Sequence, residues 1–159
     1  MICKIISGGQ TGVDRAALKF AIDNGIEHGG FCPKGRRCEG NRKIPDRFKL
    51  TETTSSGYTQ RTTKNVLHSD GTLIISRGHP TGGSLRTVVT CDGCGKPRFV
   101  VDAKHPLRFD EFVGWVREFS IEVLNVAGPR ESKQSGIEKE AYEVLTKLFA
   151  RLRQEKLAQ

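Results

Sequence analysis

Three stretches of the 159-residue chain combine glycine with small polar and charged residues in a way that suits an anion. They are Ser7-Gly8-Gly9-Gln10-Thr11-Gly12-Val13-Asp14-Arg15, Arg77-Gly78-His79-Pro80-Thr81-Gly82-Gly83-Ser84 and Ala127-Gly128-Pro129-Arg130-Glu131-Ser132. Glycine lets a ligand lie directly on the backbone. Each stretch also runs into a helical pattern, and the N–H groups and dipole of a first helical turn favour an anion. The first stretch reads Gly-Gly-x-x-Gly. It is neither Gly-x-Gly-x-x-Gly nor a loop ending in Gly-Lys-Ser/Thr, so no standard dinucleotide or ATP fingerprint is present. A tight strand-to-helix turn without a ligand is the alternative reading.

The candidate ligand-binding residues follow from these turns. Gly8, Gly9, Gln10, Thr11 and Gly12 form the first cradle, with Gly8, Gly9 and Thr11 on a phosphate. Gly82, Gly83 and Ser84 hold a second part of the ligand, and Gly128, Arg130 and Ser132 form the third cradle; Ser132 could equally be an ordinary N-cap. Lys34, Arg36, Arg61 and Arg130 supply compensating charge, and Asn65 shares a helix face with Arg61. Asp14 and Glu131 are the candidates for acid–base chemistry; Asp14 could instead answer the helix dipole. Cys91-Asp92-Gly93-Cys94 is a single Cys-x-x-Cys without a second pair, and the four histidines are scattered. Only His79 falls near the proposed crevice, so no metal site is expected.

The elements that must position these turns alternate between strand and helix. Strands are expected at residues 2–6, 27–31, 50–53, 71–76, 98–101 and 121–126, and helices at 15–24, 59–69, 84–91, 107–119 and 136–152. Residues 71–76 (Gly-Thr-Leu-Ile-Ile-Ser) form a continuous apolar run, the mark of a strand buried on both faces. Val66 and Leu67 are expected to point inward, residues 34–49 to be an irregular basic loop, and residues 153–159 to fray. Connections this long imply a mostly parallel sheet covered on both faces, a Rossmann-like α/β three-layer sandwich formed by the whole of residues 1–159 as one domain. Ligands in such sheets bind beyond the carboxyl ends of the strands. All three polar turns sit there, so they can converge on one crevice.

Bulk composition narrows the function classes. No apolar run of about 18 residues exists, so no membrane span is expected. The start of the chain carries no leader pattern, and five cysteines, an odd number, argue against a disulfide framework. Both point to the cytoplasm. The net charge of +8 is concentrated between Lys34 and Lys49, where seven basic residues face two acids. Such a field draws in anions. Nucleic acid is the weaker partner class, because interleaved aromatics beyond Phe48 and recognisable binding motifs are lacking. A small anionic ligand accounts for the glycines as well as the charge, and a homo-oligomer is expected for a protein of this kind.

With the three turns assembled, the chain resembles the putative molybdenum carrier family, placed among the Rossmann-like SLOG domains near their circularly permuted branch. The resemblance covers nearly the whole chain. It is carried by the block from Ser7 to Leu18, Cys32-Pro33-Lys34-Gly35-Arg36-Arg37, Ile44-Pro45, Arg61-Thr62 with Asn65-Val66, and the block from Ser69 to Ile74. Thr81-Gly82-Gly83-Ser84, Gly95-Lys96-Pro97 and the block from Asn125 to Ser132 complete it. The resemblance implies binding of a phosphorylated, nucleotide-like or pterin-like anion, with molybdenum cofactor or molybdate as cargo. The alternative it implies is a nucleotide-processing hydrolase. Relatives with that activity use Gly-Gly-x-Gly-Thr-x-x-Glu, whereas here Val89, Thr90 and Cys91 stand where the glutamate is needed.

Overall fold

The computed structural model describes residues 1–158. Its elements are β1 (Lys4–Ile6), α1 (Val13–Asp23), β2 (Glu27–Gly29), β3 (Phe31–Cys32), β4 (Arg37–Cys38), β5 (Arg42–Lys43), β6 (Thr51–Glu52), α2 (Tyr58–Leu67), β7 (Gly71–Ser76), α3 (Gly82–Gly93), β8 (Arg98–Asp102), α4 (Phe109–Glu118), β9 (Val123–Ala127) and α5 (Ile137–Leu157). Five strands form one sheet in the order β2-β1-β9-β7-β8, with every pair parallel. The alternation of strand and helix thus produces the expected Rossmann-like sheet.

Register assigns the two faces. Ile5 lies beside Leu124, Leu73 beside Val126 and Phe99, and Ile75 beside Val101. These side chains share a core with Ala16, Ala17 and Phe20 of α1, Phe112 and Trp115 of α4, and Leu145 and Leu148 of α5. Burying one large apolar side chain contributes about 1.5–3 kcal/mol, so this face supplies most of the fold's cohesion. The opposite face follows from period-two alternation. Ile6 lies beside Asn125 and Asn125 beside Thr72, with Ile74 and Ser76 two and four residues on. Here α2 and α3 bury Asn65, Val66, Ser84, Thr87 and Cys91. Much of this layer is polar, and within it Asn125 Nδ2 donates to Thr72 Oγ1 at 3.2 Å.

Several expectations are corrected. Residues 27–31 do not form one strand: Gly30, at φ 123°, turns the chain out of the main sheet, and β3 pairs with β6 instead. The basic stretch is not irregular. Strands β4 and β5 make an antiparallel hairpin, and Cys32, Cys38, Ile44 and Phe48 form a second small core against Leu18. Leu67 is 49% exposed, because one residue beyond Val66 the helix has turned about 100° away. Residues 153–157 do not fray: α5 runs on to Leu157, with Glu155 bound by Arg151 at 2.8 Å and Arg117 at 3.2 Å. The final residue, Gln159, lies outside the described residues. Among those described, no helix is long and apolar enough to cross a membrane, and all five cysteines are free thiols.

Candidate functional site

Strand order brings the three turns together. β1, β9 and β7 are neighbours, so the chain leaves their carboxyl ends side by side. A cavity of about 620 Å³ opens there, floored by Asn125 to Gly128 and walled by α2, α3 and the third turn. Of the sequence candidates, Gly8, Gln10, Asp14, Arg61, Asn65, Gly82, Gly83, Ser84, Gly128 and Arg130 line it. Gly9, Thr11, Gly12, Lys34, Arg36, Glu131 and Ser132 are not among the lining residues.

The first turn is only in part free to cradle an anion, which corrects the expectation for Thr11, whose N–H and hydroxyl are both committed. Three of its N–H groups already have acceptors. Gln10 N donates to Asp14 Oδ2 at 3.2 Å, Thr11 N to Gln10 Oε1 at 3.0 Å and Val13 N to the Pro129 carbonyl at 3.3 Å. The glycines serve close approach instead. A Cβ on Gly8 would overlap the Arg61 guanidinium, and one on Gly12 would overlap the Pro129 carbonyl. Gly9 faces Ile44 and Leu50 of the small core. The first turn is therefore a crossing point between distant segments.

Arg61 reaches across Gly8 to Asp14, Nη1 to Oδ2 at 2.8 Å, with both side chains largely buried. Burial pushes the Asp14 carboxyl above its ordinary value, against the Arg61 guanidinium, the Gln10 N–H and the Ser7 hydroxyl. Asn65 is committed as well: its Oδ1 accepts from Phe31 N at 2.8 Å and its Nδ2 donates to the Phe31 carbonyl at 3.0 Å. It pins α2 to β3. Glu131 is withdrawn from acid–base candidacy, because its carboxylate accepts the N–H groups of Gly136 and Glu138 and so caps α5. Among the cavity's described lining residues Asp14 is then the one carboxylate.

The second turn is the open one. Helix α3 begins at Gly82, two residues earlier than expected, after Thr81 as an extended N-cap that makes no side-chain cap bond. The amides of Gly82 and Gly83 precede the first intrahelical donor, Ser84 N, and a Cβ at either position would meet nothing within 4 Å. Ser84 is 5% exposed, and its buried hydroxyl has no hydrogen-bond partner among the described residues. Arg77 ties this turn to the third: its N–H donates to Gln134 Oε1 at 2.8 Å and its guanidinium pairs with Glu140 at 2.7 Å.

Cations surround the opening. Arg61, Arg86, Arg130 and Lys133 line the cavity. Arg86 and Lys133 have no ion-pair partner among the described residues, whereas Arg130 Nε lies 3.6 Å from Glu39. The basic stretch contributes less than its charge suggests. Arg36 donates to the carbonyls of Ile44, Pro45 and Phe48 at 3.2, 2.8 and 2.8 Å, so it braces its own loop. Lys34 is exposed away from the cavity. His79 lines a separate cavity of about 280 Å³ with His105, and no group of three metal-ligating side chains occurs among the described residues.

Sequence reasoning passed over Tyr58, Arg86, Lys133 and Glu39. Tyr58 opens α2 at the cavity wall, with the Arg37 and Arg61 guanidiniums 5.6 and 5.4 Å from its ring centre. Its place three residues before Arg61 was the available signal. Lys133 follows the third turn directly, and Arg86 lies two residues past the second. Glu39 gave no local signal, because its partners lie 28 and 93 residues away.

No curated protein matches the chain. A crystal structure from Syntrophus aciditrophicus, described as a "Putative molybdenum carrier protein", is 45% identical; the match covers 92% of this chain and 94% of that one, with a TM-score of 0.87. The model of the circularly permutated YpsA SLOG family matches residues 5–149. The all-parallel sheet, the three turns at its carboxyl edge and both comparisons agree: the chain belongs to the circularly permutated YpsA SLOG family.

Proposed function

We propose that the cavity binds an organic phosphate, a nucleotide-like or molybdopterin-type anion, and that the chain acts as its carrier. The observation that carries this reading is the opening of α3. Two unencumbered glycine amides and the unpartnered Ser84 hydroxyl stand together there at one end of a cavity edged by four cations. That is the donor set a phosphate needs. Tyr58, Val126 and Pro129 offer the remaining space an apolar surface against which a flat heterocycle can lie. The printed name of the Syntrophus aciditrophicus protein adds molybdenum carriage as the cargo class.

Volume separates the ligand classes. A cavity of about 620 Å³ suits a small organic molecule, whereas a bare tetrahedral oxyanion fills only a small part of it. Molybdate then travels as part of a larger ligand. Turnover has thinner support, since Asp14 is paired with Arg61 and Glu131 caps a helix.

Thermal unfolding against a panel of nucleoside monophosphates, sugar phosphates, phosphorylated pterins, molybdate and tungstate tests the reading. A ligand at 100 times its Kd adds about 2.7 kcal/mol of apparent stability. Organic phosphates are expected to raise Tm, and their dephosphorylated forms and bare molybdate to leave it unchanged. A panel without any phosphate-dependent shift overturns the reading. Recovery of an altered compound by chromatography moves it to the hydrolase class.

A further inference from the structure

The rim of the cavity carries an anion of its own. Glu39 sits in the 3-10 turn between β4 and β5, with its side chain 11% exposed. Its carboxylate accepts hydrogen bonds from the hydroxyls of Thr11 and Ser132 and from Ser132 N at 3.4 Å, and it faces Arg130 Nε at 3.6 Å. Its own N–H donates to Gln10 Oε1 at 2.9 Å. Two hydroxyls, a backbone N–H and a guanidinium are what proteins assemble around phosphate. In this chain they close on an internal carboxylate. The arrangement explains why Thr11 and Ser132, both read from sequence as ligand residues, stand outside the cavity lining.

Arg130 links this nest to the cavity, since it lines the cavity and is 38% exposed while facing Glu39. One guanidinium therefore stands between two anion positions. Gln10 does the same, lining the cavity while it holds the Glu39 and Thr11 amides. The hairpin these bonds retain is small. Its strands are two residues each, its tip residues Gly40 and Asn41 are left-handed at φ 71° and 54°, and Arg42 and Lys43 are exposed. Its inner anchor is Cys38 in the small core.

We infer that Glu39 is a built-in competitor for the ligand's negative charge: it holds Arg130 and fastens the 37–43 hairpin to the first and third turns, and an anion in the cavity draws Arg130 away and loosens that hairpin. The inference rests on the anion-binding reading of the cavity. Coupling of this kind is reciprocal. Removing the charge of Glu39 frees Arg130 and tightens anion binding, and binding an anion raises the mobility of the hairpin. Glu39→Gln is the informative change, because it keeps the shape, removes the charge and retains one oxygen as acceptor, while the hydroxyl that faces the new amide group can turn to accept from it. Competition at a partly exposed pair of this kind is expected to amount to roughly 3- to 10-fold in affinity.

A nucleoside monophosphate that raises Tm in the panel above is the probe, titrated by calorimetry into the wild type, Glu39→Gln, Arg130→Ala and the double variant, each checked for cooperative thermal unfolding. The expected result is tighter binding by Glu39→Gln, with the gain absent when Arg130 is also removed. Wild-type binding with an equal or weaker Glu39→Gln overturns the inference and leaves the anion-binding reading standing. Failure of both proteins to bind any organic phosphate of the panel overturns both. Hydrogen exchange on the unaltered protein asks the same question without a variant. Amides 38–43 should exchange faster with the nucleoside monophosphate bound, and unchanged or slower exchange contradicts the linkage.

Discussion

The two faces of the sheet solve different problems. Against α1, α4 and α5 the strands present Ile5, Leu73, Ile75, Leu124 and Val126, and the layer closes as a dry apolar core. Against α2 and α3 the same strands present Thr72, Ser76 and Asn125, and the layer leaves a cavity at its carboxyl edge. One residue of register separates the two sets. Cohesion is thus concentrated on one face, and the other is free to hold buried polar groups whose partners include an incoming ligand. Substitutions on the two faces should therefore separate stability from binding.

The largest effect is expected on the apolar face. Phe112 is fully buried and packs edge-on against Phe99 at 5.5 Å. Phe112→Ala should cost about 3–5 kcal/mol in urea unfolding, with ligand affinity of the folded fraction unchanged. A comparable loss is expected from Arg61→Met on the polar face, for an electrostatic reason. It leaves the Asp14 carboxylate buried without its partner, at a cost of about 3–5 kcal/mol. Burial already holds the Asp14 pKa above its unfolded value of 3.8, and removing Arg61 takes away the strongest opposing influence. A carboxyl raised in the folded state makes stability fall as pH rises from the unfolded value to the folded one. The deficit of Arg61→Met relative to wild type should therefore shrink as pH is lowered toward 3.8. Adding Asp14→Asn should abolish that pH dependence. A deficit independent of pH would mean that Arg61 acts by packing alone.

How far these faces were legible in the sequence depended on where each residue's partners lie. Residues 71–76 announce a central strand because an apolar run buried on both faces needs no distant information. The three turns are legible in the same way, since each follows a strand and opens a helical pattern. The role of the first turn was not, because Gly8 and Gly12 answer to Arg61 and Pro129, far along the chain. The hairpin in the basic stretch was hidden for the same reason. Its charges suggested solvent, whereas Arg36 and Glu39 spend theirs on carbonyls and hydroxyls that only the fold brings near. Local pattern revealed the layers; long-range pairing decided which glycines stayed open.

Smaller effects sharpen the contrast. Lys133 lines the cavity without an ion-pair partner among the described residues, so Lys133→Ala should leave Tm within a degree or so. Affinity for an organic phosphate should fall about tenfold, by a margin that shrinks at high salt. Glu131→Ala should do the reverse. Losing the cap on Gly136 and Glu138 is expected to cost about 1 kcal/mol of stability, with affinity almost unchanged. Equal losses of binding in both variants would mean that the third turn contacts the ligand through Glu131 as well.

Ser84 offers the most direct measurement of all. Its buried hydroxyl has no partner among the described residues, so deleting it removes none of the hydrogen bonds that hold them together. If the opening of α3 receives the phosphate, Ser84→Ala should unfold at the same temperature as wild type or higher. Its phosphate-dependent thermal shift should be visibly smaller. A variant that keeps the full ligand-induced shift would contradict the placement of the phosphate at α3, and with it the account of the polar face.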